Sequence, residues 1–184
     1  MNPILLLPLG NADRRIVSAL CLPLREVLGR DVDVREVDVE LSPFLDEQRL
    51  QYNSSNIITH LDSLYPSLAA AEPARPLLLA VACDDLCIPI LTFVFGEAQL
   101  GGRVGVVSYH RLQNERYGLP ADEELLHLRL VKEALHELGH LFGLVHCSSY
   151  ECVMHISTYV EDIDTKPAAF CPACLETLRR ERRD

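Results

Sequence analysis

A chain of 184 residues has room for one well-packed domain and little more, and its 48% apolar content without Trp describes a globular protein with an aliphatic core. The 17 basic and 27 acidic side chains leave a formal charge of −10, a sign that repels phosphate backbones and argues against nucleic acid as a partner. No apolar run approaches the ~20 residues that cross a bilayer, so no membrane span is expected.

Residues 4–9 form a continuous apolar run closed by Gly10 and Asn11, the pattern of a buried strand. No basic region precedes it and no small-residue cleavage site follows, so a signal peptide is not expected and the chain reads as soluble and cytoplasmic. Residues 14–28 have helical spacing at Ile16, Val17, Leu20, Leu24 and Leu28, with Pro23 expected to kink the helix. Val32, Val34, Val37 and Val39 are interleaved with charges, as in a half-buried strand with one slip of register. Residues 44–55 are polar and loop-like; residues 56–71 return to a helical pattern with Pro66 near its end. Pro76 bounds a second apolar strand at 77–82. Residues 91–95 and 104–109 read as antiparallel strands joined by a long connection containing Gly96, Gly101 and Gly102.

The strongest helix spans 122–142. Asp122 is its candidate cap, Glu123 and Glu124 complement the dipole, and Gly143 ends it. Beyond it the chain reads as an irregular tail, poor in apolar material, until a short final helix from about Leu175. The basic run from Arg179 to Arg183 reads as the solvated last turn of that helix. This order describes one α/β or α+β domain over residues 1–184 with a mixed sheet packed on helices. Its upper part covers about residues 1–143 and its lower part about residues 144–184.

The decisive segment is His136-Glu137-Leu138-Gly139-His140-Leu141-Phe142-Gly143-Leu144-Val145-His146. Residues four apart share a helical face, so His136 and His140 can bring two imidazoles to one metal while Glu137 leans over the site without binding. Gly143 permits a left-handed exit, and His146 can then swing back as a third ligand. Three protein ligands leave one position open, the arrangement of catalytic zinc. Chance explains a bare His-Glu-x-x-His on a helix easily. It explains a glycine and a third histidine at fixed offsets poorly.

This His-Glu-x-x-His-x-x-Gly-x-x-His pattern resembles the metzincin metallopeptidases. Its continuation, Cys147-x4-Cys152-x-Met154-x16-Cys171-x2-Cys174, is similar to the archaemetzincin branch, although the interval from Met154 to Cys171 is one residue shorter. Arg49-Leu-Gln-Tyr-Asn and Phe93-Val-Phe-Gly-Glu-Ala resemble that family as well. The resemblance implies a compact fold with a twisted sheet above the cleft, a turn placing Met154 beneath the metal, and a peptide or protein substrate bound by strand addition. Residues 91–95 are the candidate edge strand.

Cys147, Cys152, Cys171 and Cys174 form two close pairs on either side of a loop. Four thiolates close a tetrahedron around zinc and leave no open position, which describes a structural site; the resemblance implies such a second zinc. Two zinc ions per chain are therefore expected. Two disulfides or buried thiols are the competing reading, and the absence of an export signal speaks against disulfides. Cys21 reads as core, Cys83 and Cys87 as buried or loop thiols. His155 could line the cleft or touch substrate, or be a loop histidine with no role, and Tyr159, five residues beyond Met154, could place a phenol to stabilise an oxyanion; His60, His110 and His127 have no partners at ligand spacing.

Peptide hydrolysis by zinc, with Glu137 as general base, is the expected function. The alternative is a zinc-containing peptide-binding or scaffold protein with little turnover. A nucleic-acid zinc ribbon conflicts with the acidic charge. Oligomeric state is not legible, and a monomer is plausible.

Overall fold

The computed structural model describes residues 2–72 and 74–181. Its first strand β1 (Ile4–Pro8) is apolar on both faces because it sits inside a sheet covered on both sides. Helices α1 (Arg14–Ala19) and α2 (Cys21–Leu28) follow, then strand β2 (Val32–Val34). The expected single kinked helix is thus two helices broken at Leu20. Pro23 falls in the first turn of α2, where its missing N–H has no intrahelical partner to lose. The expected strand through Val39 stops at Val34.

The segment expected to be a loop at 44–55 contains two short strands, β3 (Leu45–Asp46) and β4 (Gln51–Asn53). Asn53 then caps α3 (Ser54–Leu68) by accepting from Asn56 N at 3.0 Å. Strand β5 (Leu77–Ala82) is wholly buried and leads to β6 (Leu86–Cys87). Residues 91–95 are not a strand: they make one isolated bridge, Leu86 to Val94. The edge strand is instead β7 (Gly96–Ala98), antiparallel to β8 (Val104–Ser108).

The main sheet runs β2-β1-β5-β8-β7, parallel except for β7, and a smaller sheet runs β3-β4-β6. Strand alternation divides the interior in two. Leu5, Leu7, Leu78, Ala80, Val104 and Val106 face α3. Ile4, Leu6, Leu79, Val81 and Val107 face α1, α2 and α4 (Glu123–Leu141), the long helix capped by Asp122 as expected.

The tail departs furthest from expectation. It contains α5 (Val160–Thr165), and α6 (Pro172–Glu181) begins three residues earlier than anticipated. It is not poor in core either: Val153, Met154, Val160, Ile163, Phe170 and Leu178 are buried in the same cluster as α4. Arg179 is exposed; the other side chains of the basic run lie outside the described residues. Among the described residues no helix is long and apolar enough to cross a membrane.

Candidate metal centres

On α4, residues 129–139 are all buried, and the helix presents His136 and His140 one turn apart. Their Nε2 atoms lie 3.2 Å from each other. Nδ1 of His136 is 2.8 Å from the Val153 carbonyl, and Nδ1 of His140 is 2.7 Å from the Leu144 carbonyl. A carbonyl only accepts, so each Nδ1 carries the proton and each Nε2 presents a lone pair. Two lone pairs that close repel unless a cation lies between them.

His146 completes the group, with the three ligand atoms within 4.8 Å of one another. Nitrogens at ~2.0–2.1 Å from a tetrahedral zinc stand about 3.3–3.4 Å apart, near the separation of His136 and His140. Burial, then the charge of Lys166, drives the His136 imidazole down to about 3. Burial lowers His140 and His146 too, so all three tend to the neutral form that binds metal.

The exit of α4 explains how His146 arrives. Gly143 has φ +83 and donates to the His140 carbonyl at 2.9 Å, while Leu144 N donates to the Gly139 carbonyl at 2.9 Å. That pair of bonds is a Schellman turn, whose left-handed residue a glycine fills without strain. The same turn presents the Leu144 carbonyl to His140.

Met154 is buried beneath α4 in the turn Cys152-Val153-Met154-His155, closed by His155 N donating to the Cys152 carbonyl at 2.9 Å. A Cβ on Gly139 would stand 2.3 Å from Met154 Sδ, so the helix must be bare there. One turn therefore carries a cysteine of the second cluster, the carbonyl that orients His136, and the packing under the helix.

Cys147, Cys152, Cys171 and Cys174 also converge within 4.8 Å. Sγ atoms of Cys147 and Cys171 are 3.8 Å apart and those of Cys152 and Cys174 3.7 Å. Disulfide sulfurs would be ~2.05 Å apart, whereas the edge of a zinc tetrahedron with ~2.3 Å bonds is about 3.8 Å. The donor set fits zinc. Burial pushes Cys152 and Cys174 up, while a hydrogen bond from Cys174 N holds Cys171 low.

Glu137 is buried beside His136, while His140 is half-buried and His146 exposed, and it lines the cavities on both sides of the histidines. Burial, with the carboxylates of Glu133 and Glu97, pushes its carboxyl well above the usual range against the pull of Lys166. A cation at the histidines would act downward. Gly96 of β7 leaves room for this carboxylate: a Cβ there would be 2.6 Å from Glu137 Oε1.

Tyr159 lines one cavity, whereas His155 is 3.0 Å from the Cys147 carbonyl through Nδ1 and packs against Tyr150 with ring centroids 4.3 Å apart and tilted by 47°. Cys21, Cys83 and Cys87 join neither cluster. Gly96 was expected in a connection and Gly139 was given no role, so the close packing of Glu137 on one and Met154 on the other was not anticipated. The one signal for Gly139 was a glycine inside a helix, a choice that costs ~1 kcal/mol unless space demands it.

The profile of Peptidase family M54 matches residues 25–180. An archaemetzincin of Methanocaldococcus jannaschii is 34% identical over 94% of this chain and 90% of its own. One of Archaeoglobus fulgidus is 38% identical over 89% of this chain and 91% of its own. The crystal structure of a zinc-dependent peptidase from Methanocorpusculum labreanum superposes with a TM-score of 0.86 at 32% identity, covering 95% of this chain and 99% of that one. With the histidine and cysteine clusters set on that shared fold, the chain belongs to peptidase family M54, the archaemetzincins, and is a zinc metallopeptidase.

Proposed function

We propose that the chain hydrolyses peptide bonds at the three-histidine centre with Glu137 as general base, and that the four cysteines hold a second, structural zinc. The observation that carries this reading is the placement of Glu137, buried beside histidines whose Nε2 atoms meet at 3.2 Å and open to the cavities on both sides. His136, His140 and His146 would hold the catalytic zinc, which when bound polarises the scissile carbonyl and acidifies the attacking water. Glu137 takes the proton of that water and returns it to the departing amine. Gly143 sets the path of His146, and Met154 supports the helix from below.

The substrate lies extended along β7, the edge of the sheet, and adds to it as a strand. Arg49 supports this rim, donating to the carbonyls of Ile88 at 3.1 Å and Thr92 at 2.7 Å, with a further bond to Leu91 O. The chain works as one domain, residues 1–143 forming the upper wall of the cleft and residues 144–184 the lower.

Glu137→Gln keeps the shape of the side chain and removes the base. On a peptide library it should lower turnover by about 10²–10⁴-fold while leaving metal content at the wild-type level. Unchanged hydrolysis would defeat the assignment, and a zinc-loaded wild type that binds peptides without cutting them would favour a scaffold role.

A further inference from the structure

A cavity of about 390 Å³ opens beside His140 and His146, with Ile88, Leu91, Val94, Leu100 and Val145 among its walls. Three of these side chains stand largely in water: Leu91 is 50% exposed, Leu100 60% and Val145 65%. Single exposed apolar residues are ordinary, but three in one cavity with two ligand histidines mark a binding surface. Their backbone fixes them there. Gly101 N donates to the His140 carbonyl at 2.8 Å and Gly102 N to the Gln99 carbonyl at 2.9 Å, so the turn carrying Leu100 is fastened to the end of α4. Val145 stands between Leu144, whose carbonyl orients His140, and His146 itself. Arg49 binds the Leu91 carbonyl. An apolar surface held in place in this way gains free energy when a ligand covers it, with little ordering left to oppose the gain.

The backbone of β7 gives the ligand a direction. Phe95 O accepts from Ser108 N at 2.8 Å and Gln99 N donates to Val104 O at 3.1 Å. Alternation then turns the N–H and C=O groups of Gly96 and Ala98 away from β8, where an added strand can pair with them. Antiparallel pairing is the more stable. Because β7 runs from Gly96 towards Leu100, an antiparallel peptide has its N-terminal part beside Leu100 and Val145. Among the described residues no Arg or Lys lines the cavity, so a carboxylate side chain finds no counter-charge there. Glu97 does line it, but its oxygens already accept from Ser54 Oγ and Ser55 Oγ at the first turn of α3, which leaves little for an ammonium.

We infer that Leu100 and Val145, with Leu91, select an aliphatic side chain on the acyl side of the scissile bond. The inference rests on the reading of this cleft as the peptide site. These residues are then specificity residues whose exposed surface is covered only when substrate is bound.

The test uses zinc-loaded full-length protein and phosphinic peptides, which span the cleft without being cut. Leucine, alanine, lysine and glutamate are placed in turn at the two positions on the acyl side of the phosphinate and at the first on its amine side, and affinities are read by calorimetry. At one acyl-side position leucine should bind at least about tenfold tighter than alanine, with lysine and glutamate weaker than leucine. Leu100→Ala and Val145→Ala should each lower that ratio; both side chains are exposed, so neither variant empties a core site. Leu100→Arg should turn the preference from leucine to glutamate. Leu22→Ala, at an equally exposed leucine of α2 outside the cavity, should leave the ratio unchanged. Leucine equal to alanine at both acyl-side positions, a leucine preference confined to the amine side, or a ratio that neither alanine variant in the cavity lowers would overturn the inference. Cleavage of matching peptides, scored in parallel, separates the two readings. An intact leucine ratio without turnover removes hydrolysis alone, and turnover without acyl-side preference removes this inference alone.

Discussion

The three histidines hang from one 19-residue helix and the turn that leaves it, whereas the four cysteines are gathered from the loop after α4, the turn around Met154 and the start of α6. Two of the imidazoles are aimed by backbone carbonyls, and their helix is buried along eleven consecutive residues, 129–139. The thiols meet only because three separate segments meet. A metal at the first centre would enter a site the fold has already shaped; a metal at the second would help to shape the fold. The centres are still not independent, because the turn 152–155 supplies Cys152 to one and the Val153 carbonyl to the other.

The largest test of that contrast is Cys152→Ser. It should remove one zinc and destabilise the chain by on the order of 4 kcal/mol or more, as losses of structural metals do. It should also lower activity, because the Val153 carbonyl moves with the turn. Metal analysis and thermal unfolding read both effects. The sheet and α3 should persist, since the tail is also held by its buried apolar side chains and by the two Arg129–Asp164 hydrogen bonds of 2.7 Å.

His140→Ala should behave in the opposite way, abolishing hydrolysis and losing one zinc while the apo-like fold keeps its cooperative unfolding. If both variants lose the same amount of stability, the contrast is broken. Gly139→Ala comes next. On an open helix the change would stabilise by ~1 kcal/mol; against Met154 it should instead cost about 1–3 kcal/mol through overpacking, a reversal of sign visible in chemical denaturation. Gly143→Ala is the smallest, about 1–2 kcal/mol for a side chain held at positive φ, with weakened zinc retention at the histidine centre.

The histidine centre was legible because its chemistry is compressed into eleven consecutive residues with helical spacing, and the cysteine quartet because thiols are rare and paired. The buried β1 and β5 and the cap at Asp122 were equally readable from local pattern. What escaped was set by tertiary contact. Arg129, Lys132 and Glu133 look like a solvated helix face, yet they are 4%, 4% and 3% exposed because α5 and Lys166 close over them. Lys132 Nζ donates to the Ile163 carbonyl at 2.8 Å. Nothing local announces such partners some thirty residues away. The edge strand was misplaced for a related reason: the apolar residues 91–95 resemble a strand, but the Leu91 and Thr92 carbonyls serve Arg49 and Gln51, and bonding to β8 begins only at Phe95, whose carbonyl accepts from Ser108 N at 2.8 Å.

The most direct measurement of the account is zinc X-ray absorption on the fully loaded protein, with metal stoichiometry. Two zincs per chain, one with four sulfurs and one with three imidazoles and an oxygen, average to about two sulfurs at ~2.3 Å and two nitrogen or oxygen neighbours at ~2.0–2.1 Å. That is the predicted spectrum. One zinc per chain, or a shell without sulfur, would contradict it.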